Sequence, residues 1–196
     1  MSYDEVKGEQ PFYLYTMHKQ PESSIDVLGY YDSNQFALIE RLNNIIEPDV
    51  RLYVKPHILS TGDFDFMWYS KLKKLGVGIL HPNQDIYNYL DLDTLKAVFT
   101  VSGTIALECH LKSKRAYVFS EIFSRLQHVV WLKWADVIKA KSLTELDVLE
   151  GKEIFSDWLK YSRKLNISDP NIDSSVLSRE NITAWADSLL ELKDLE

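Results

Sequence analysis

Two rhythms of apolar and polar positions alternate along the first two thirds of the chain. Short runs rich in aromatic and β-branched residues recur between polar or Gly/Pro boundaries: "PFYLYTM" (residues 11–17), "RLYVKPH" (51–57), "VGIL" (77–80), "KAVFTVSG" (96–103) and "AYVFS" (116–120). Such runs predict strands, the last of them closing the series as the fifth. Between them the spacing changes to that of a helix. In "SNQFALIERLNNII", Phe36, Ile39, Leu42 and Ile46 fall on one face, with Ser33 as the expected N-cap. "DFDFMWYSKLKKLG" predicts a second helix stopped by Gly76, Gln84 to Leu90 a short third, and "TIALECHLKS" a fourth.

Strands alternating with helices predict a parallel sheet with helices on both faces, a Rossmann-like α/β layer. From Ser142 the strand signals stop. "SLTELDVLEGKEIFSDWLKYSRKL" and "SRENITAWADSLLELKDLE" carry helical periodicity around the loop "NISDPNIDSS". The expected organisation is therefore a Rossmann-like α/β domain over residues 1–141 and a helical C-terminal extension over 142–196.

Composition narrows this only a little. A chain of 196 residues, 45% hydrophobic and 26% charged, is long enough for one well-buried core. A net charge of −7 argues against binding nucleic acid by broad phosphate neutralisation, but leaves room for a small anion held by a few donors. The single cysteine, Cys109, leaves no intramolecular disulfide and reads as a small core residue. With no leader and no apolar stretch long enough to span a bilayer, the expected setting is cytoplasmic.

In open parallel sheets ligands bind beyond the carboxyl ends of the strands. Three polar clusters are predicted there. They are His18-Lys19-Gln20-Pro21-Glu22, Lys55-Pro56-His57 and Ser102-Gly103-Thr104. In the third, Gly103 permits a tight turn, and the following helix start offers N–H groups and a positive dipole end to a phosphate. Glu108 lies one turn on, within reach of a ribose hydroxyl. A capped helix start with a solvated Glu108 is the competing reading, and spacing alone leaves both open. Lys55 and His57, one residue apart, point to the same side of an extended strand. There they could neutralise a diphosphate or phosphodiester, with His57 protonating a leaving phosphate. A surface lysine and a histidine packed on Pro56 is the plainer alternative.

In order and spacing, "YLYTMHKQPESS", "LYVKPH" and "VFTVSGTIALEC" resemble the capsule and surface-polysaccharide glycosyltransferases. The likeness is nearest to the retaining Kdo-transferase-like group with its "QPE", "HP" and "SGT…E" motifs. It runs from about Phe12 to Ser120. It implies the C-terminal, donor-binding lobe of a GT-B enzyme. Gln20 and Glu22 would be donor-side contacts, His57 a phosphate contact or acid, and Ser102, Gly103, Thr104 and Glu108 the nucleotide cradle. His57 and Glu22 are the implied catalytic candidates. The implied donor is a CMP-activated sugar such as CMP-Kdo, and no metal or other cofactor is implied.

The chain departs from the pattern in reading His57-Ile58 where the group has His-Pro. A GT-B enzyme also needs a second lobe for its glycan acceptor, so that lobe is expected on a separate domain or partner. Membrane association is expected only peripherally, through a glycan-assembly complex. Two other readings are a non-catalytic nucleotide-binding module and half of a nucleotide-sugar epimerase.

Lesser signals favour structure over chemistry. Asp63-Phe-Asp65 and Asp91-Leu-Asp93 match the DxD pattern of metal-dependent transferases but read more simply as a helix cap and a turn. His81-Pro82 reads as a loop, His110 as packed or exposed, and Trp131 and Trp134 as core.

Overall fold

The computed structural model describes residues 2–7, 9–60, 64–121 and 126–146, with 178 and 183 as isolated positions. The chain divides into two units, Met1–Glu153 and Ile154–Glu196, and every element named below belongs to the first. Apart from a 3-10 turn at Leu143–Glu145, the expected helical extension lies outside the described residues.

Six parallel strands form one sheet: β1 (Phe12–Thr16), β2 (Arg51–Lys55), β3 (Gly78–Ile79), β4 (Leu95–Thr100), β5 (Ala116–Val118) and β6 (Val129–Trp131). Their spatial order is β3-β2-β1-β4-β5-β6, so the Rossmann-like α/β expectation holds. β6 is a strand that the sequence pattern did not announce. Val129–Trp131 pairs in parallel with Ala116–Val118, one residue after His128 turns the chain at φ 66°.

The strand interiors are largely apolar because the sheet is covered on both faces, with charged Arg51 and Lys55 at the ends of β2 and Lys96 near the start of β4. Alternation along β1 sends Tyr13 and Tyr15 to one core and Phe12 and Leu14 to the other. The first core packs against α2 (Gln35–Ile45), α3 (Phe66–Lys74) and α6 (Trp134–Lys139) through Leu38, Ile39, Leu42, Leu72 and Val137. The second packs against α4 (Tyr87–Leu90) and α5 (Ile105–Leu111) through Leu90, Ile105, Ala106 and Cys109. A one-turn α1 (Ser23–Asp26) follows β1.

Helix ends explain several boundaries. Asn34, not Ser33, caps α2, its side-chain oxygen accepting from Ala37 N at 3.1 Å. The Ser33 hydroxyl instead donates to Tyr30 O, 3.1 Å away. Asp65 caps α3 by accepting from Trp68 N at 2.7 Å, as expected, whereas Asp63 lies outside the described residues. Gly76 stops α3 with φ +84°, a left-handed conformation that glycine adopts without strain. Arg41 of α2 donates to the Val137 and Ile138 carbonyls, both at 2.9 Å, and also to Ala140 O. It thereby satisfies the C-terminal end of α6 from a neighbouring helix.

The N-terminal segment runs along the outer edge of β3. Asp4 N donates to Ile79 O at 2.7 Å, and Ile79 N donates back to the Asp4 carboxylate at 2.9 Å. Arg51 and Lys73 flank that carboxylate at 3.4 Å. Burial raises the Asp4 pKa, but the Ile79 N–H and these two cations outweigh it and hold the group below its ordinary value.

Candidate functional site

The strand order reverses direction between β1 and β4: from β1 the chain proceeds outward to β2 and β3, from β4 outward to β5 and β6. Loops leaving the carboxyl ends of two such neighbours diverge and open a crevice. A cleft of about 520 Å³ lies there, walled by the ends of β1, β2 and β4, the start of α5 and the Pro82–Ile86 loop.

All the expected site residues except Gln20 line this cleft: Glu22, Lys55, His57, Ser102, Gly103, Thr104 and Glu108. Gln20 faces elsewhere. Its amide nitrogen donates to Asp26 Oδ1 at 3.1 Å and to Ser33 O at 3.2 Å, and its oxygen accepts from Gln35 at 3.0 Å. Those bonds tie the loop after β1 to the start of α2.

The organising side chain of the cleft is His18, which is buried. Its own backbone is clamped by Gln35, which accepts from His18 N at 2.8 Å and donates to His18 O at 3.0 Å. The Ser102 N–H donates to His18 Nε2 at 3.2 Å, so that nitrogen is an acceptor and the ring proton sits on Nδ1. Nδ1 faces Ser24 Oγ at 3.4 Å, and Thr100 Oγ1 lies 3.2 Å from Nε2. Burial depresses the His18 pKa; the Glu22 carboxylate pulls upward and His57 downward. A neutral ring matches this hydrogen-bond pattern.

The turn after β4 hangs on that ring. Gly103 N donates to Thr100 Oγ1 at 3.2 Å, and a Cβ at position 103 would fall 2.6 Å from the same oxygen. Only glycine fits this approach. The Ser102 hydroxyl is committed to the Ser24 carbonyl, so Ser102 serves by placing the turn. Thr104 occupies the N-cap position of α5 but its side chain makes no capping bond, and it is exposed at the cleft wall. Glu108 Oε2 is buried without a partner.

Across the cleft, Lys55 Nζ donates to Pro82 O at 2.9 Å, tying the end of β2 to the loop after β3. Burial lowers its pKa, opposed by the Asp85 carboxylate. His57 Nδ1 accepts from Leu59 N at 3.1 Å, which fixes the ring although Ile58 stands in place of a proline. The cleft thus combines Lys55 and His57 with the carboxylates of Glu22, Asp85 and Glu108. That mixture suits a ligand carrying both an anionic group and hydroxyls.

The sequence reading missed Thr100, Ser24 and Asp85 as wall residues, and it named His18 in a strand-end cluster without giving it a role. His18 stood in the polar cluster after the first strand, but nothing local told that its ring reaches β4, 82 positions away.

The lesser signals resolve as structure. Asp91 ends α4 and pairs with Lys112. His81 accepts from Asn83 N at 3.1 Å in its loop. His110 is buried against Gln127 O at 2.6 Å, and Cys109 is fully buried, with its thiol pushed up to about 12 by desolvation. Trp131 and Trp134 are partly buried, each packed on one of the two cores. Among the described residues no helix is long and apolar enough to cross a membrane. Comparison with family models, curated proteins and solved structures found no match to this chain.

Proposed function

We propose that the β1/β4 crevice binds a nucleotide-sugar, and that the chain supplies the donor lobe of a surface-polysaccharide glycosyltransferase. The donor in this reading is CMP-activated, such as CMP-Kdo. The observation that carries the proposal is convergence: polar residues from three separate strand ends line one 520 Å³ cleft at the switch point of the sheet.

In this reading the ligand phosphate lies between the Gly103–Thr104 turn and the Lys55–His57 side. The bare backbone at Gly103 permits close approach, and the Thr104 hydroxyl is free of capping duty. Lys55 stabilises the charge that grows on the departing nucleotide phosphate, and His57 donates a proton to it. Glu108 accepts from the ribose, since its buried Oε2 lacks a donor. Glu22, at the exposed rim, faces the sugar. The acceptor glycan binds to a separate lobe or partner.

Calorimetric titration of the chain with CMP, UDP and GDP tests the proposal. Selective CMP binding, weakened in Thr104→Ala and His57→Ala, is the expected outcome. Selective UDP or GDP binding keeps the cleft and replaces the donor. Absence of binding to all three by a folded chain overturns the reading.

A further inference from the structure

A second cavity, of about 440 Å³, opens on the same carboxyl edge of the sheet, beyond β5 and β6. The segment after α1 separates it from the crevice: Ser24 lines the crevice, whereas Gly29, Tyr31 and Asp32 line this cavity. Gly29 seals that segment against the sheet, since a Cβ there would meet Val101 Cγ1 at 2.3 Å.

The lining combines four aromatic residues with the polar side chains of Asp32, Ser120, Glu121 and Lys133. Tyr31, 91% exposed, stands at the rim, and Trp131 and Trp134 contribute from β6 and the start of α6. The Trp131 indole is fixed by its N–H bond to Phe119 O at 3.2 Å. Asp32 is the unusual member. Its Oδ1 is buried without a partner, and behind it the hydroxyl of fully buried Tyr15 is also unpartnered. Desolvation pushes the Asp32 carboxyl up to about 6, the mark of a group that the fold itself does not satisfy. Each such orphan costs stability until a donor or acceptor arrives.

We propose that this cavity is a carbohydrate-binding subsite, in which the aromatic side chains take the apolar faces of a saccharide ring and Asp32 accepts its hydroxyls. Flat aromatic surface beside a hydroxyl-accepting carboxylate matches the amphipathic faces of a sugar. Aromatic rings with a carboxylate also suit an organic cation, but Lys133 weighs against that occupant. Its ammonium lies 5.1 Å from the centre of the Trp131 ring and already takes that ring's cation-binding face. Glu121 on the same wall offsets its charge, so the choline control decides between the two occupants. The proposal does not depend on nucleotide binding at the crevice.

Saturation-transfer NMR on the full chain tests it, with N-acetylglucosamine, galactose and free Kdo as probes and choline as the cationic control. Saturation of ring protons is expected for at least one sugar. Asp32→Asn and Tyr31→Ala should each weaken that sugar by about tenfold, roughly 1.4 kcal/mol. Asp32→Asn should also leave Tm at pH 8 equal to or above that of the parent chain. Three results overturn the proposal: no saturation of any of the three sugars, saturation unchanged in both variants, or choline saturated in their place. A fall in Tm with Asp32→Asn would likewise overturn it, by assigning Asp32 a structural role.

Discussion

The β1/β4 crevice and the β5/β6 cavity differ in how their central polar groups are held. At the β1/β4 crevice most of the polar groups named above are bonded within the protein, the buried Oε2 of Glu108 being an exception. His18, Thr100, Ser102 and Ser24 form one closed set, and Lys55 and His57 each have a backbone partner. At the β5/β6 cavity aromatic rings alternate with charged side chains, and the buried Oδ1 of the half-buried Asp32 goes unanswered. The His18 set is pre-organised at little cost to the fold; the Asp32 oxygen is held at the expense of stability. Acid should therefore move them in opposite directions.

The sharpest way to break the comparison is Gly103→Val. The added Cβ meets Thr100 Oγ1 at 2.6 Å, and the valine methyls crowd the turn further. Overpacking of this kind costs about 1–3 kcal/mol, which the urea midpoint will register, and nucleotide binding should vanish with it. His18→Ala comes next. It strands the buried Ser102 N–H, a loss of roughly 1–3 kcal/mol readable in the same unfolding curves.

The pH profile separates the regions. The folded His18 pKa lies below the ordinary 6.5, so the unfolded chain takes up its proton first, and this contribution to stability is lost as pH falls below 6.5. Asp32 has the reverse sign. Its folded pKa is raised to about 6 from 3.8, so its penalty is full above pH 6 and fades as pH falls toward 3.8. Asp32→Asn should therefore raise Tm at pH 8 and lose that advantage at pH 4, as thermal unfolding monitored by circular dichroism can check. His18→Gln should flatten the opposite trend just below pH 6.5. The smallest effect belongs to Thr104→Ala, an exposed site where stability should change by less than about 0.5 kcal/mol. Any loss of nucleotide affinity there reads contact rather than folding.

Much of the crevice was legible because its parts sit where a strand rhythm ends in polar residues. Lys55, His57 and the Ser102–Thr104 turn needed only local pattern and the rule that ligands gather at strand ends. Gln20 was placed on the cleft by the same rule, but a side chain one residue beyond a polar bend can turn either way, and this one turned inward to Asp26 and Gln35. β6 was hidden for a different reason. Three residues inside "HVVWLKWADVIKA" are too few to set a period, and Val129–Trp131 becomes a strand through pairing with β5. The second cavity depends on that strand, so it was not visible in the pattern either.

The N-terminal segment on β3 bears on how this protein behaves in a crowded solution. A bare sheet edge is a template onto which a neighbouring molecule can add a strand, and a short edge strand such as the two-residue β3 already limits such growth. Here the Ile79 amide and carbonyl are both already taken by Asp4, whose charge is balanced by Arg51 and Lys73. A molecule approaching that edge must first displace a buttressed ion cluster. The opening residues of the chain thus act as a gatekeeper against self-assembly.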